Sequence, residues 1–278
     1  MNGVMLRLER LKKNGYYLII AADHALSNGF VPGIEKEDDY KVLIKNVIDL
    51  DIKGVVLTYG LIRNQGDKLL LNNTMNSSLI VQTYGCPAIN LYNGLRKPLC
   101  SIEDAIAVGG DCVSLQLNLA ADPATWNLTE ICTLASQAHR YGLPVLLMVG
   151  GVKTADVDSF VNTARSLAEL PVDLIKIDPG VQVSNLPEGV LCGIGTPFLY
   201  AGGEFNEHFI RNLGCAKNAG FDGVCVGRNF FQSDNPRLIV SKINEIFTSN
   251  YYSLTEDKCS IDTLMHECVF KAKQLQRR

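Results

Sequence analysis

The chain has 278 residues, 47% of them apolar and 20% charged, with a formal net charge of −3. This is soluble globular composition, long enough for one large domain or two small ones, without the clustered Lys/Arg excess of a nucleic-acid binder. No apolar run approaches the roughly 18 residues of a membrane span, and residues 1–15 lack an apolar stretch ahead of a cleavage site, so no nucleic-acid or membrane partner is expected and a cytoplasmic location is.

Taken in chain order, short apolar runs predict strands over Tyr17–Ala22, Gly54–Thr58, Ser78–Gln82, Cys112–Leu117, Pro144–Val149, Leu174–Asp178, Pro197–Ala201 and Gly223–Val226. Periodicity of 3.6 predicts helices over Glu37–Leu50, Thr125–Tyr141, Ala155–Ala168, Glu207–Ala219 and Pro236–Phe247. Ser101-x-x-Asp104 reads as a helix start, and Ala219-Gly220 as a helix stop. The strands are near-continuous apolar runs, as in a parallel sheet buried on both faces. Eight of them, each followed by a helical segment, predict an α/β fold of the (β/α)8 TIM barrel type. A doubly wound sheet would more usually carry a Gly-rich turn after its first strand, and here that turn reads AADHALSNG.

With no linker or composition break, residues 1–250 read as one barrel domain. Within 251–278, Ile261, Leu264, Met265, Cys268, Ala272 and Leu275 share one helical face. They predict an additional C-terminal helix that packs on the barrel or on a neighbouring subunit. Nine cysteines lie scattered without a C-x-x-C pair and read as reduced thiols. Histidines 24, 139, 208 and 266 show no ligand spacing, so no metal is expected.

In such a barrel the reactive residues sit at the C-terminal ends of the strands. Lys176, in DLIKID, shares a face with Leu174 and Asp178 by period-two alternation. It is either a packed stem paired with Asp178 or Asp23, or a functional amine able to form a Schiff base. Asp23 closes the first strand as a general base, a substrate-orienting carboxylate, the lysine's counter-charge, or a simple turn residue. His24 beside it is a proton shuttle or a hydrogen-bonded wall residue. Gly202 and Gly203 after strand seven, with Gly227 and Arg228 after strand eight, occupy the usual phosphate position of the fold, where backbone N–H groups and a guanidinium would hold a phosphorylated small molecule.

DHALSNG, LIKID, AGGE and GFDGVCVGRNFFQ together resemble the archaeal-type class I aldolase family over about residues 15–247. That family includes fructose-bisphosphate aldolases, aminodideoxyheptulosonate synthases and the thiolase acting on phosphorylated autoinducer-2. The resemblance implies that Lys176 is the Schiff-base lysine, Asp23 its neighbouring carboxylate, and AGG and GRN the phosphate holders. It implies chemistry on a ketone such as dihydroxyacetone phosphate with no cofactor, and a homo-oligomer, a pentamer or decamer.

Two segments depart from the family. Where a Tyr in a Y-P-R-G-like segment donates a proton, this chain reads LLMVGGVK, with Gly150 or Val149 in that place, as in the thiolase branch. Where K-x-x-Y-T-G is usual, it reads KIDPGVQ. Asp23, His24, Asp178, Tyr59, Lys153 and a bound water are the candidate replacements. The departures favour a specialised or biosynthetic aldolase over a glycolytic one. A coenzyme A-dependent acyl transferase on a phosphorylated diketone and a non-catalytic phosphate-binding barrel are the alternatives.

Overall fold

Six consecutive buried residues, Tyr16–Ala21, form strand β1, the first of eight parallel strands. The others are β2 (Gly54–Thr58), β3 (Ser78–Gln82), β4 (Cys112–Asn118), β5 (Val145–Gly150), β6 (Leu174–Ile177), β7 (Phe198–Tyr200) and β8 (Gly223–Val226). Each pairs with the next in chain order, and β8 returns to β1 through Cys225 opposite Ile19, which closes the barrel. All eight strands fall where the apolar runs predict them. The computed structural model describes residues 3–69, 76–88, 96–121, 127–152, 156–206 and 208–249. The C-terminal helix expected in 251–278 and the candidate Lys153 lie outside them.

Alternation divides each strand between two cores. Tyr16, Leu18 and Ile20 face outward into the layer shared with the helices, as do Ile175 and Ile177. Tyr17, Ile19, Ala21, Val56, Ile80, Cys112, Leu146, Met148, Leu174, Leu199 and Cys225 fill the barrel itself. The floor is closed by helix α1 (Gly3–Arg10), whose Val4 and Leu8 pack into this inner cluster together with Leu11. Gly54 makes room for that plug, since a Cβ there would stand 2.8 Å from Leu11 Cδ2. A hairpin then leads from Lys12–Lys13 into β1, its turn made by Asn14 and Gly15 with φ of 50° and 91°. Asn-Gly is a strong two-residue hairpin signal, and the periodicity reading passed over it and over α1.

The outer helices are α2 (His24–Asn28), α3 (Glu37–Asp49), α4 (Tyr59–Leu69), α5 (Ile102–Ala107), α6 (Leu128–Arg140), α7 (Val157–Leu167), α8 (Phe209–Ala219), α9 (Arg228–Phe231) and α10 (Pro236–Thr248). The expected start of α5 is a reciprocal cap: Ser101 Oγ accepts from Asp104 N at 3.0 Å, and Asp104 Oδ2 accepts from Ser101 N at 3.0 Å. The expected stop of α8 is Gly220, in left-handed backbone.

The sixth unit departs from the expectation of a helix after every strand. Only a 3-10 turn, Val183–Asn185, lies between β6 and β7. Pro179, Pro187 and Pro197, with Gly180, Gly189, Gly193 and Gly195, prevent a longer helix from propagating there.

Because Leu11 is fully buried at the barrel floor, Leu11→Ala is expected to cost about 2–5 kcal/mol of stability through a cavity that the closed ring cannot collapse. Urea denaturation of the variant and the parent checks this, and equal midpoints would remove the plug from the account of the fold.

Candidate active site

Lys176 stands two residues above Leu174 on the inner face of β6, between Met148 of β5 and Leu199 of β7 in register. Its stem continues the inner apolar stack, and its amine comes within 3.9 Å of Met148 Sδ. Among the described residues it is ion-paired with neither Asp23 nor Asp178. The amine opens into a cleft of about 290 Å³ at the C-terminal mouth, which Asp23, His24, Arg96, Gln116, Gly150 and Arg228 also line.

Asp23 is buried at the end of β1. Its Oδ2 accepts from Gln116 Nε2 at 3.0 Å, and Gln116 Oε1 in turn accepts from Arg96 Nε at 3.1 Å. The remaining oxygen, Oδ1, stands 3.9 Å from His24 Nδ1.

His24 opens α2 with its ring edge-on to Phe231, the centroids 5.6 Å apart. Burial is the main cause of a pKa lowered from 6.5 to about 4, reinforced by the Lys176 and Arg228 charges and opposed by Asp23. The imidazole is therefore neutral near neutral pH. Its Nδ1 is buried with no hydrogen-bond partner among the described residues.

Gly227 belongs to this packing. A Cβ there would overlap the His24 ring and the Ala21 carbonyl oxygen, so the glycine seats the imidazole against β8. Gly150 is open in the opposite sense, since a Cβ there meets none of the described residues within 4 Å. The cleft wall is thus unfilled where the sequence departs from the resembled family.

The glycines expected to hold one phosphate are divided by the structure. Arg228 lines the lysine cleft, with its Nη1 3.3 Å from Glu204 Oε1. Gly202 and Gly203 line a neighbouring cavity of about 470 Å³ with Asp178, Tyr200, Arg211 and Asn212. Asn229 joins the two loops: its Nδ2 donates to the Gly202 and Glu204 carbonyls at 2.7 and 3.1 Å, and its Oδ1 accepts from Asn206 N at 3.1 Å. Asp178 is exposed and lines that neighbouring cavity, and Tyr59 begins α4, its hydroxyl accepting from Arg63 at 3.4 Å. Neither enters the lysine cleft.

Asn229 belongs to the GRN segment that the sequence marks, and Gln116 stands at the end of β4, where barrel chemistry is sought. Arg96 alone escapes the sequence reading, since it lies on a loop with no periodic signal. The seven described cysteines are free, and burial pushes the Cys225 thiol up to about 11, which leaves it an apolar filler of the barrel. Among the described residues no His/Cys/Asp/Glu group could hold a metal, and no helix is long and apolar enough to cross a membrane.

Comparison with known proteins adds to this geometry. Residues 17–233 match the family described as DeoC/LacD family aldolase. The chain is 30% identical over 258 residues to 2-amino-3,7-dideoxy-D-threo-hept-6-ulosonate synthase 1 of Archaeoglobus fulgidus, covering 91% of this chain and 94% of that one. It is 26% identical over 269 residues to an uncharacterized aldolase of Saccharolobus solfataricus, covering 90% and 96%. Among solved structures it resembles an archaeal fructose-1,6-bisphosphate aldolase whose catalytic Lys is bound to the carbinolamine intermediate of its substrate. That match has a TM-score of 0.73 at 22% identity and covers 88% of this chain and 99% of the other.

The buried, neutral His24 has a stability consequence. Unfolded, it takes a proton near pH 6.5; folded, only near 4. The unfolded state therefore binds more protons in that window, and His24's contribution, full above 6.5, falls as pH drops toward 4, by about 3 kcal/mol in all. Denaturant unfolding of His24→Gln is expected to show a shallower pH dependence between 4 and 6.5 than the parent. Equal slopes would contradict the neutral, buried imidazole.

Proposed function

Because the chain belongs to the DeoC/LacD family of aldolases, we propose that it is a class I aldolase that makes or cleaves a carbon–carbon bond in a phosphorylated ketose through a Schiff base on Lys176. The observation that carries this reading is the placement of one amine, rising from the apolar barrel interior into a cleft shared with Asp23, His24 and Arg228. The carbinolamine named for the structurally similar aldolase supports the same chemistry.

The amine's lone pair attacks the ketone carbon, and loss of water from the carbinolamine gives an iminium. Breaking a C–C or C–H bond next to it sends that electron pair into the new C=C bond, and the iminium π pair moves to nitrogen. The electron sink is thus covalent and made from the substrate itself. Asp23 is the carboxylate that accepts or returns the proton, and the neutral imidazole of His24 is the second proton-carrying group in reach of the cleft. Arg228 holds the phosphate at the mouth of the lysine cleft, while Gly202 and Gly203 line the neighbouring cavity after β7.

A biosynthetic or otherwise specialised substrate fits better than fructose bisphosphate. The wall at Gly150 is open, and the Archaeoglobus fulgidus relative is named as a synthase. The same opening favours, as a second reading, transfer of an acyl fragment from a phosphorylated diketone to coenzyme A. In both readings residues 1–250 act as one catalytic barrel.

Borohydride reduction in the presence of dihydroxyacetone phosphate is expected to add the reduced ligand to Lys176, as located by peptide mass spectrometry, and Lys176→Met to abolish labelling. A wild-type protein that stays unlabelled with this and other phosphorylated ketones would refute the Schiff base. Dependence of turnover on an aldehyde or on coenzyme A separates the two readings. Arg228→Ala is expected to raise KM for phosphorylated ketones about 10–100-fold, the loss of a charge-assisted contact of about 1.5–3 kcal/mol. Dihydroxyacetone without the phosphate serves as the control, and equal effects on both would move the phosphate elsewhere.

A further inference from the structure

We propose that Gln116 and Arg96 are positioning residues that decide which oxygen of Asp23 works on the substrate. The proposal rests on the Schiff-base reading above and goes beyond it. Gln116 lies opposite Met148 in the β4–β5 register, and Met148 lies opposite Lys176 in the β5–β6 register, so Gln116 and Lys176 occupy the same layer of the barrel mouth.

An amide side chain has one accepting end and one donating end, whereas a guanidinium only donates and a carboxylate only accepts. With Arg96 Nε donating to Oε1 at 3.1 Å, the amide has a single favourable orientation, and its Nε2 is delivered to Asp23 Oδ2 at 3.0 Å. Turning the amide over would set an NH2 against the guanidinium and a carbonyl against the carboxylate. Arg96 therefore fixes Gln116, and Gln116 fixes Asp23.

The consequence is a carboxylate whose two oxygens are not equivalent. Oδ2 is held by Gln116, while Oδ1 accepts no hydrogen bond among the described residues and stands 3.9 Å from His24 Nδ1, beyond bonding distance. Oδ1 is the oxygen left to receive a proton from the substrate. In that step the α-C–H proton of the iminium passes to Oδ1, the C–H pair becomes the C=C bond, and the C=N π pair returns to nitrogen. Displacing Asp23 slows this proton transfer and leaves attack by Lys176 largely untouched, because the lysine is held by its own strand.

The test separates the two steps with one probe, dihydroxyacetone phosphate in D2O. Borohydride labelling of Lys176 reads imine formation, and deuterium entry at the hydroxymethyl carbon, followed by NMR, reads proton transfer. Gln116→Glu keeps an acceptor for Arg96 but removes the donor to Asp23; Gln116→Leu removes both bonds without adding charge. Both variants are expected to label within about 3-fold of wild type and to exchange about 10–100-fold more slowly, the loss typical of a misplaced reacting group.

Arg96→Met is expected to slow exchange in the same sense. Combined with Gln116→Leu, it should add nothing further, since the two residues act through one bond chain. Wild-type exchange in both Gln116 variants, additive losses in the double variant, or a wild-type protein that labels without exchanging would each overturn the proposal. Absence of labelling in the wild type would instead overturn the Schiff base on which it rests, so the two failures are distinct.

Discussion

A closed ring of parallel strands must fill its own interior, and that constraint sets the place of everything else. Every second side chain of eight strands points inward, so the lumen has to be packed with apolar groups wherever water cannot reach. Leu174, Leu146, Leu199, Cys112 and Cys225 do this, and α1 with Leu11 seals the bottom. A charged group is tolerable inside only at the open mouth. Lys176 is placed there by arithmetic, two residues beyond Leu174 on the same face, with Met148 and Leu199 beside it in register. The depth of the amine is therefore a property of strand register and not of any loop.

Once the amine is fixed, the charges around it arrange the remaining groups. The cleft gathers Lys176, Arg96 and Arg228 against a single buried carboxylate, Asp23. This surplus of positive charge suits an anionic substrate, and it also helps keep His24 neutral, since burial and both nearby cations oppose a proton on the ring. Glu204 offsets Arg228 only from an exposed position, so the guanidinium remains available to the cleft. The Gly227 contact that presses His24 against β8 ties this electrostatic balance to backbone geometry.

The parts legible in the sequence are those governed by local period and by strand ends. All eight strands, the caps at Ser101 and Gly220, and the company of Asp23, His24, Lys176 and Arg228 follow from alternation and from the rule that barrel chemistry sits where strands stop. Contacts between distant segments were not legible. Nothing local to Arg96 says that it meets Gln116, and nothing local to Gly227 says that its missing Cβ makes room for His24. The sixth unit was misread in the opposite way: its prolines and glycines were visible, but the regular alternation of units outweighed them. The division of Gly202 and Gly203 from Arg228 between two cavities likewise depends on Asn229, whose bonds cross from one loop to the other.

Gly150 bears most on what kind of aldolase this is. An open wall in that place leaves the barrel mouth wider and supplies no hydroxyl, so on the proposed chemistry proton transfer falls to groups on other strands. Asp23 after β1 is bonded through Gln116 on β4 to Arg96. On the proposed chemistry, acid–base work rests on a network spanning β1 and β4 in place of one residue after β5, with the iminium on β6 and the phosphate at Arg228 after β8. Separating the proton-carrying groups from the bond-making lysine in this way leaves the space beside Gly150 free for a substrate group. On that proposal, the open wall and the acid–base chain are two aspects of one change in specificity.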